Sequence, residues 1–136
     1  MKKIVPARGQ VLITEPLEEL KFKGCFHFDE GFYYFRNVGN RILLGGGRQL
    51  DIAGETTISP DLNEKIQLDL NSKLQQIISP GFNPKIEMRW SGIMSFSENK
   101  LPINTLISKN VCYAMICNGM GVSLSPIAAE KIVDIM

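Results

Sequence analysis

The residues best placed to do chemistry are Cys117-Asn118-Gly119-Met120-Gly121-Val122, where two glycines join an apolar run to the start of a helical pattern. A strand-to-helix junction of this kind turns free backbone N–H groups toward one spot. Glycine lets the chain approach a ligand closely, and the positive end of the helix dipole favours an anion or an electron-rich carbonyl there. The same two glycines would equally serve a tight turn that binds nothing. The segment is not a phosphate loop, because it lacks Gly-Lys-Ser/Thr, and it is not a dinucleotide fingerprint, because it lacks three glycines after an early strand.

Arg89-Trp90-Ser91-Gly92-Ile93-Met94 is the second candidate, since a large aromatic followed by glycine at a strand end commonly sits beside a planar ligand; plain core packing would also account for Trp90. In the aromatic run Phe32-Tyr33-Tyr34-Phe35-Arg36, strand alternation puts Phe32, Tyr34 and Arg36 on one face and Tyr33 and Phe35 on the other. Tyr34 and Arg36 could line a pocket wall or cap a solvated sheet face. Arg48, after three glycines, could pair a substrate carboxylate or stay in water. His27 lies near Asp29 and Glu30, but no serine or cysteine forms a nucleophile motif with it, so it reads as a structural or surface histidine. Cys25, Cys112 and Cys117 contain no Cys-x-x-Cys pair, which predicts neither a disulfide framework nor a metal site.

The elements that must position these residues follow from periodicity. Gln10 to Glu15 reads as a strand closed by Pro16, Cys25 to Phe28 as a second, and residues 31 to 45 as a hairpin with Gly39 in its loop. Residues 49 to 58 read as an irregular loop. Ser59-Pro60-Asp61 predicts a helix start, with Leu62, Ile66, Leu70, Leu74, Ile77 and Ile78 on one apolar face and Gln67 off it, ended by Ser79-Pro80-Gly81. Lys85 to Trp90 reads as a strand, Lys100 to Pro102 as a crossing segment, and Val111 to Ile116 as a buried strand. A last helix is predicted from about Ser123 to Ile135, with Pro126 tolerated in its first turn.

With 136 residues, 44% of them hydrophobic, the chain is of single-domain size with one real core. Fifteen Lys plus Arg against 14 Asp plus Glu leave a charge of +1, without the surplus that nucleic-acid binding needs. No signal-peptide run follows Met1, and the longest apolar stretch is about a third of a membrane span. These features predict a soluble, cytoplasmic protein with no membrane span.

Taken in order, Pro6 to Pro16, Tyr33-Tyr34-Phe35-Arg36 with Arg41 to Gly47, Trp90-Ser91-Gly92-Ile93 with Leu101-Pro102-Ile103, and Asn118 to Val122 resemble the C-terminal part of the D-amino-acid-oxidase-like FAD-dependent oxidoreductases. The resemblance implies an α+β fold. A mostly antiparallel or mixed sheet would form a substrate-binding portion over residues 1–91, and residues 92–136 would return to the FAD domain. The Rossmann opening with Gly-x-Gly-x-x-Gly is missing from this chain. By similarity the reaction is hydride transfer from an amine or amino acid to flavin N5, with FAD as cofactor of the full-length protein. Gly92, Ile93, Met94, Asn118, Gly119, Met120, Gly121 and Val122 would lie along the flavin, and Tyr34, Arg36 and Arg48 would meet the substrate.

Two positions depart from the family pattern: Met94 stands where an arginine often follows Trp-x-Gly, and Gly119-Met120-Gly121 replaces Gly-His-Gly. The implied fragment would have no turnover alone, would hold no FAD, and would self-associate through uncovered apolar surface. The alternative is a stand-alone module that binds a small ligand or a protein without catalysis.

Overall fold

Along β1 (Ile4–Thr14) the even-numbered residues from Arg8 to Thr14 are buried and the odd-numbered ones between them only partly so, the alternation of a strand with one covered face. The computed structural model describes residues 4–115 and 118–135. The chain divides into two units, residues 8–93 and residues 94–136 with 1–7.

In the first unit β2 (Cys25–Phe28), β3 (Tyr33–Val38), β4 (Arg41–Gly46) and β5 (Ile86–Ser97) join β1 in a sheet of order β2-β3-β4-β1-β5. The expected hairpin is present: β3 and β4 pair antiparallel from Tyr33↔Gly46 to Val38↔Arg41, and Gly39 takes the left-handed φ of 57° that the two-residue turn needs. Tyr33 is buried while Tyr34 and Arg36 are exposed, as the alternation requires. The covered face packs Leu12, Tyr33, Ile42 and Leu44 against Ile66, Leu70 and Leu74.

The covering helix, α2 (Glu64–Lys73), runs on into one π-helical turn at Leu74–Ile78. It starts later than Ser59-Pro60-Asp61 suggests. Asn63 is the N-cap, while the Ser59 hydroxyl donates to the Asp61 carboxylate and the Pro60 carbonyl accepts from Ser91 Oγ at 2.6 Å. Leu62 therefore falls outside the helix and is exposed, and Gln67, expected off the apolar face, is buried. The stretch read as an irregular loop holds a 3-10 turn at Arg48–Leu50 and α1 (Ile52–Glu55), whose N-cap Asp51 accepts from the Gly54 N–H at 3.0 Å.

In the second unit β6 (Ile103–Ser108) and β7 (Val111–Met115) form an antiparallel pair, and α3 (Gly121–Ile135) packs on both. The strand expected to be buried is not: among the described residues β7 pairs with β6 alone, and Val111 is 51% exposed, while Ile116 lies outside the described residues. The strand predicted to end near Trp90 continues to Ser97. Because α3 begins at Gly121, Pro126 lies past the first turn, where it removes the donor to the Val122 carbonyl. Ser125 Oγ donates to that carbonyl at 3.1 Å. Among the described residues no helix is long and apolar enough to cross a membrane. The architecture is α+β, as expected.

Candidate functional site

The loop before α3 is built around Asn118. Its φ is 70° and that of Gly119 is 74°, two successive left-handed residues that reverse the chain; asparagine and glycine tolerate this conformation best. The Asn118 N–H donates to the Ser95 carbonyl at 2.6 Å, its Oδ1 accepts from the Ser97 N–H at 3.2 Å, and its Nδ2 donates to Ser97 Oγ at 3.3 Å. The side chain thus binds the loop to the end of β5 rather than projecting outward. Cys117 lies outside the described residues.

Beyond this clamp the loop is open. A Cβ placed on Gly119 would meet nothing closer than Met94 Sδ at 3.6 Å, so Met94 and the glycine loop are neighbours. Leu124 N–H donates to the Met120 carbonyl at 3.1 Å and closes the first turn of α3. The N–H groups of Gly121, Val122 and Ser123 precede it and have no acceptor within the helix. Met120 is 49% and Val122 95% exposed, so this end of the helix faces solvent. A rigid loop with unpaired donors at a 15-residue helix's positive end suits an electron-rich carbonyl edge, and Gly119 leaves room for a planar group beside Met94.

In the other unit Tyr34 and Arg36 lie on the face of β3 turned away from the core. The Tyr34 ring lies across Gly45 of β4, where an added Cβ would fall 2.4 Å from its hydroxyl oxygen. Burial against that strand raises the Tyr34 pKa. His27 stands opposite Tyr34, ring centres 6.2 Å apart, so one exposed face carries an imidazole, a phenol and the Arg36 guanidinium. Arg48, half-buried in the 3-10 turn after Gly47, lies on a different element from that trio. Gly92 and Ile93 are exposed on β5, and Trp90 is 36% exposed, which rules out a plain core role.

A buried polar chain under the sheet has no counterpart in the sequence reading. Glu55 is fully buried and accepts from Arg8 Nε at 3.2 Å, Arg8 Nη2 at 2.6 Å, Gln10 Nε2 at 3.0 Å and Asn63 Nδ2 at 2.9 Å. Gln67 Nε2 donates to Gln10 Oε1 at 3.0 Å, and Arg89 Nη1 donates to Gln67 Oε1 at 2.7 Å. Burial alone would raise the Glu55 pKa, but the hydrogen bonds from Arg8, Gln10 and Asn63 outweigh it and hold the carboxyl below its ordinary value. The period-two spacing that puts Arg8 and Gln10 on the same strand face as Leu12 is the sequence signal that could have exposed this chain.

Comparison with known proteins places the molecule. A family model described as DAO, FAD dependent oxidoreductase, matches residues 1–135. The crystal structure of glycine oxidase from Bacillus cereus ATCC 14579 superposes with a TM-score of 0.76 at 15% identity, covering 98% of this chain and 36% of that one. At that identity the likeness shows the fold, and the chain spans little more than a third of the glycine oxidase length. No curated protein matches. Since the family model covers nearly every residue, the chain belongs to the DAO family of FAD-dependent oxidoreductases.

Proposed function

We propose that this chain is the C-terminal portion of a flavoenzyme that oxidises an amine or amino acid. When bound, FAD supplies N5 as the acceptor of the hydride that leaves the carbon beside the substrate nitrogen; water then hydrolyses the resulting imine to a carbonyl compound and an amine or ammonia. The observation that carries the reading is the open donor cluster of Gly121, Val122 and Ser123, held rigid by the Asn118 clamp on Ser97. In it, the segment from Gly119 to Val122 would line the flavin's N1 and C2 carbonyl edge, and the N–H groups of Gly121, Val122 and Ser123 would offer donors to negative charge there without any side-chain motion. Met94, Gly92 and Ile93 would give the ring an apolar flank. Tyr34 and Arg36 orient the substrate from the exposed sheet face, with Arg48 as a further contact.

Residues 1–91 are then the substrate-binding portion and residues 92–136 the return to the FAD domain. The setting is cytoplasmic, and the near-zero net charge argues against nucleic acid as a partner. The 136 residues by themselves have no turnover. They self-associate, since Leu106, Ile107 and Val111 leave the β6–β7 pair 46%, 65% and 51% exposed.

The test is an anaerobic screen of amines, amino acids and alcohols against the full-length protein. Bleaching of the flavin absorbance by an amine supports the reading; bleaching by an alcohol and by no amine overturns it.

A further inference from the structure

We infer that Arg89 forms a binding site for a small carboxylate, separate from the loop before α3. Two arginines of the first unit have comparable surroundings. Arg8 places Nη1 on the Ser59 carbonyl at 3.2 Å and turns its parallel Nε and Nη2 donors onto the Glu55 carboxylate, Nη2 at 2.6 Å. Arg89 makes the first half of this pattern: Nη1 lies 2.7 Å from Gln67 Oε1 and 3.4 Å from the Gln67 carbonyl. Its Nε and Nη2 meet no described residue, and neither is among the polar atoms sealed from solvent. The fork that holds a carboxylate in Arg8 is open to solvent in Arg89.

This open fork is held in place from behind. Glu55, an acceptor, compels Gln10 to present Nε2 to it, so Gln10 turns Oε1 toward Gln67 Nε2, and Gln67 must then turn Oε1 toward Arg89. Every amide in this row has its orientation set by the buried carboxylate, and Gln10 and Gln67 are 1% and 7% exposed. Arg89 is half-buried, and that burial makes its charge costlier to hold because neither neighbouring acceptor on Gln67 is an anion. A planar carboxylate docking side-on across Nε and Nη2 supplies the missing charge with two parallel hydrogen bonds. Glu87, two residues away on β5, pairs with Arg41 instead.

The test uses the 136-residue chain, isotope-labelled, with acetate as probe and acetamide and chloride as controls at equal ionic strength. Acetate should move the Arg89 Nε–H resonance saturably, and neither control should. Arg89→Lys, which keeps the charge but loses the fork, should weaken acetate binding about tenfold, read on the backbone amides of residues 88–91. Gln67→Met, which keeps the volume and removes the Nη1 anchor, should also weaken it and serves if Arg89→Lys does not fold. Equal shifts with acetate and chloride, no saturation, or unchanged binding in the folded variants would overturn the inference. No flavin enters this test, so its failure would leave the proposed oxidoreductase reading untouched.

Discussion

Replacing Asn118 should loosen the loop before α3 by an amount that can be worked from its contacts. The side chain makes two hydrogen bonds to Ser97, at 3.2 Å and 3.3 Å, and Ser97 is only 8% exposed. Losing both bonds and leaving the Ser97 N–H without its acceptor costs about 2 kcal/mol. Alanine must also adopt the left-handed φ of 70°, which adds about 1 kcal/mol; glycine adopts it freely. Asn118→Gly should therefore cost about 2 kcal/mol and Asn118→Ala about 3. The assay is hydrogen exchange at the Ser97 amide, because the loss is local. The expected acceleration is about 30-fold in Asn118→Gly and over 100-fold in Asn118→Ala. Asn118→Asp keeps the acceptor for the Ser97 N–H and should show much less. Unchanged Ser97 exchange in Asn118→Gly would refute the clamp, and with it the rigid donor cluster.

Gly46 has φ 125°, and a Cβ there would lie 2.1 Å from the Phe32 carbonyl oxygen, so Gly46→Ala should cost about 3 kcal/mol, whereas Gly39→Ala, with open space around it, should cost about 1; thermal unfolding of both decides. Glu55 has a folded pKa below its ordinary 4.5, so its stabilisation is present above that pH and is lost as pH falls through the depressed value. Glu55→Gln should flatten that acid limb of the melting profile while costing about 3 kcal/mol at neutral pH, where Arg8 is left buried and unpaired. Light scattering of the isolated chain should show association that Leu106→Lys with Val111→Lys weakens; a strict monomer in the parent at high concentration would contradict it.

The hairpin was legible because its cues agree: alternating aromatics, Gly39 between two apolar runs, and the Gly45-Gly46-Gly47 exit. The helix over α2 was legible from Ile66, Leu70 and Leu74, but its start was not. Ser59, Pro60 and Asp61 bond among themselves and to Ser91, which leaves the capping role to Asn63. Composition hid the buried polar chain, because Arg8, Gln10, Glu55 and Gln67 are residue types that usually face water and only their mutual hydrogen bonds make burial favourable. Val111 to Met115 misled in the opposite sense: an apolar strand predicts a cover, and burial depends on what supplies it.

The glycine loop was the most informative stretch of sequence, and the structure adds what spacing could not. Asn118 faces inward as the clamp while the loop presents its backbone. Tyr34 and Arg36 share an exposed face as alternation requires, and Arg48 sits on another element because the stretch after Gly47 folds into a 3-10 turn.

In the proposed function, this chain supplies part of a flavin site that the rest of a longer protein completes. The most direct test is to read the gene upstream of Met1 for roughly 200 in-frame residues, the size of a further domain, and to measure the flavin absorbance of the purified full-length product. One FAD per chain, lost on replacing Gly119 and Gly121 with bulky residues, is the predicted result. A full-length product that folds, retains no flavin and takes up none when FAD is added would contradict the account.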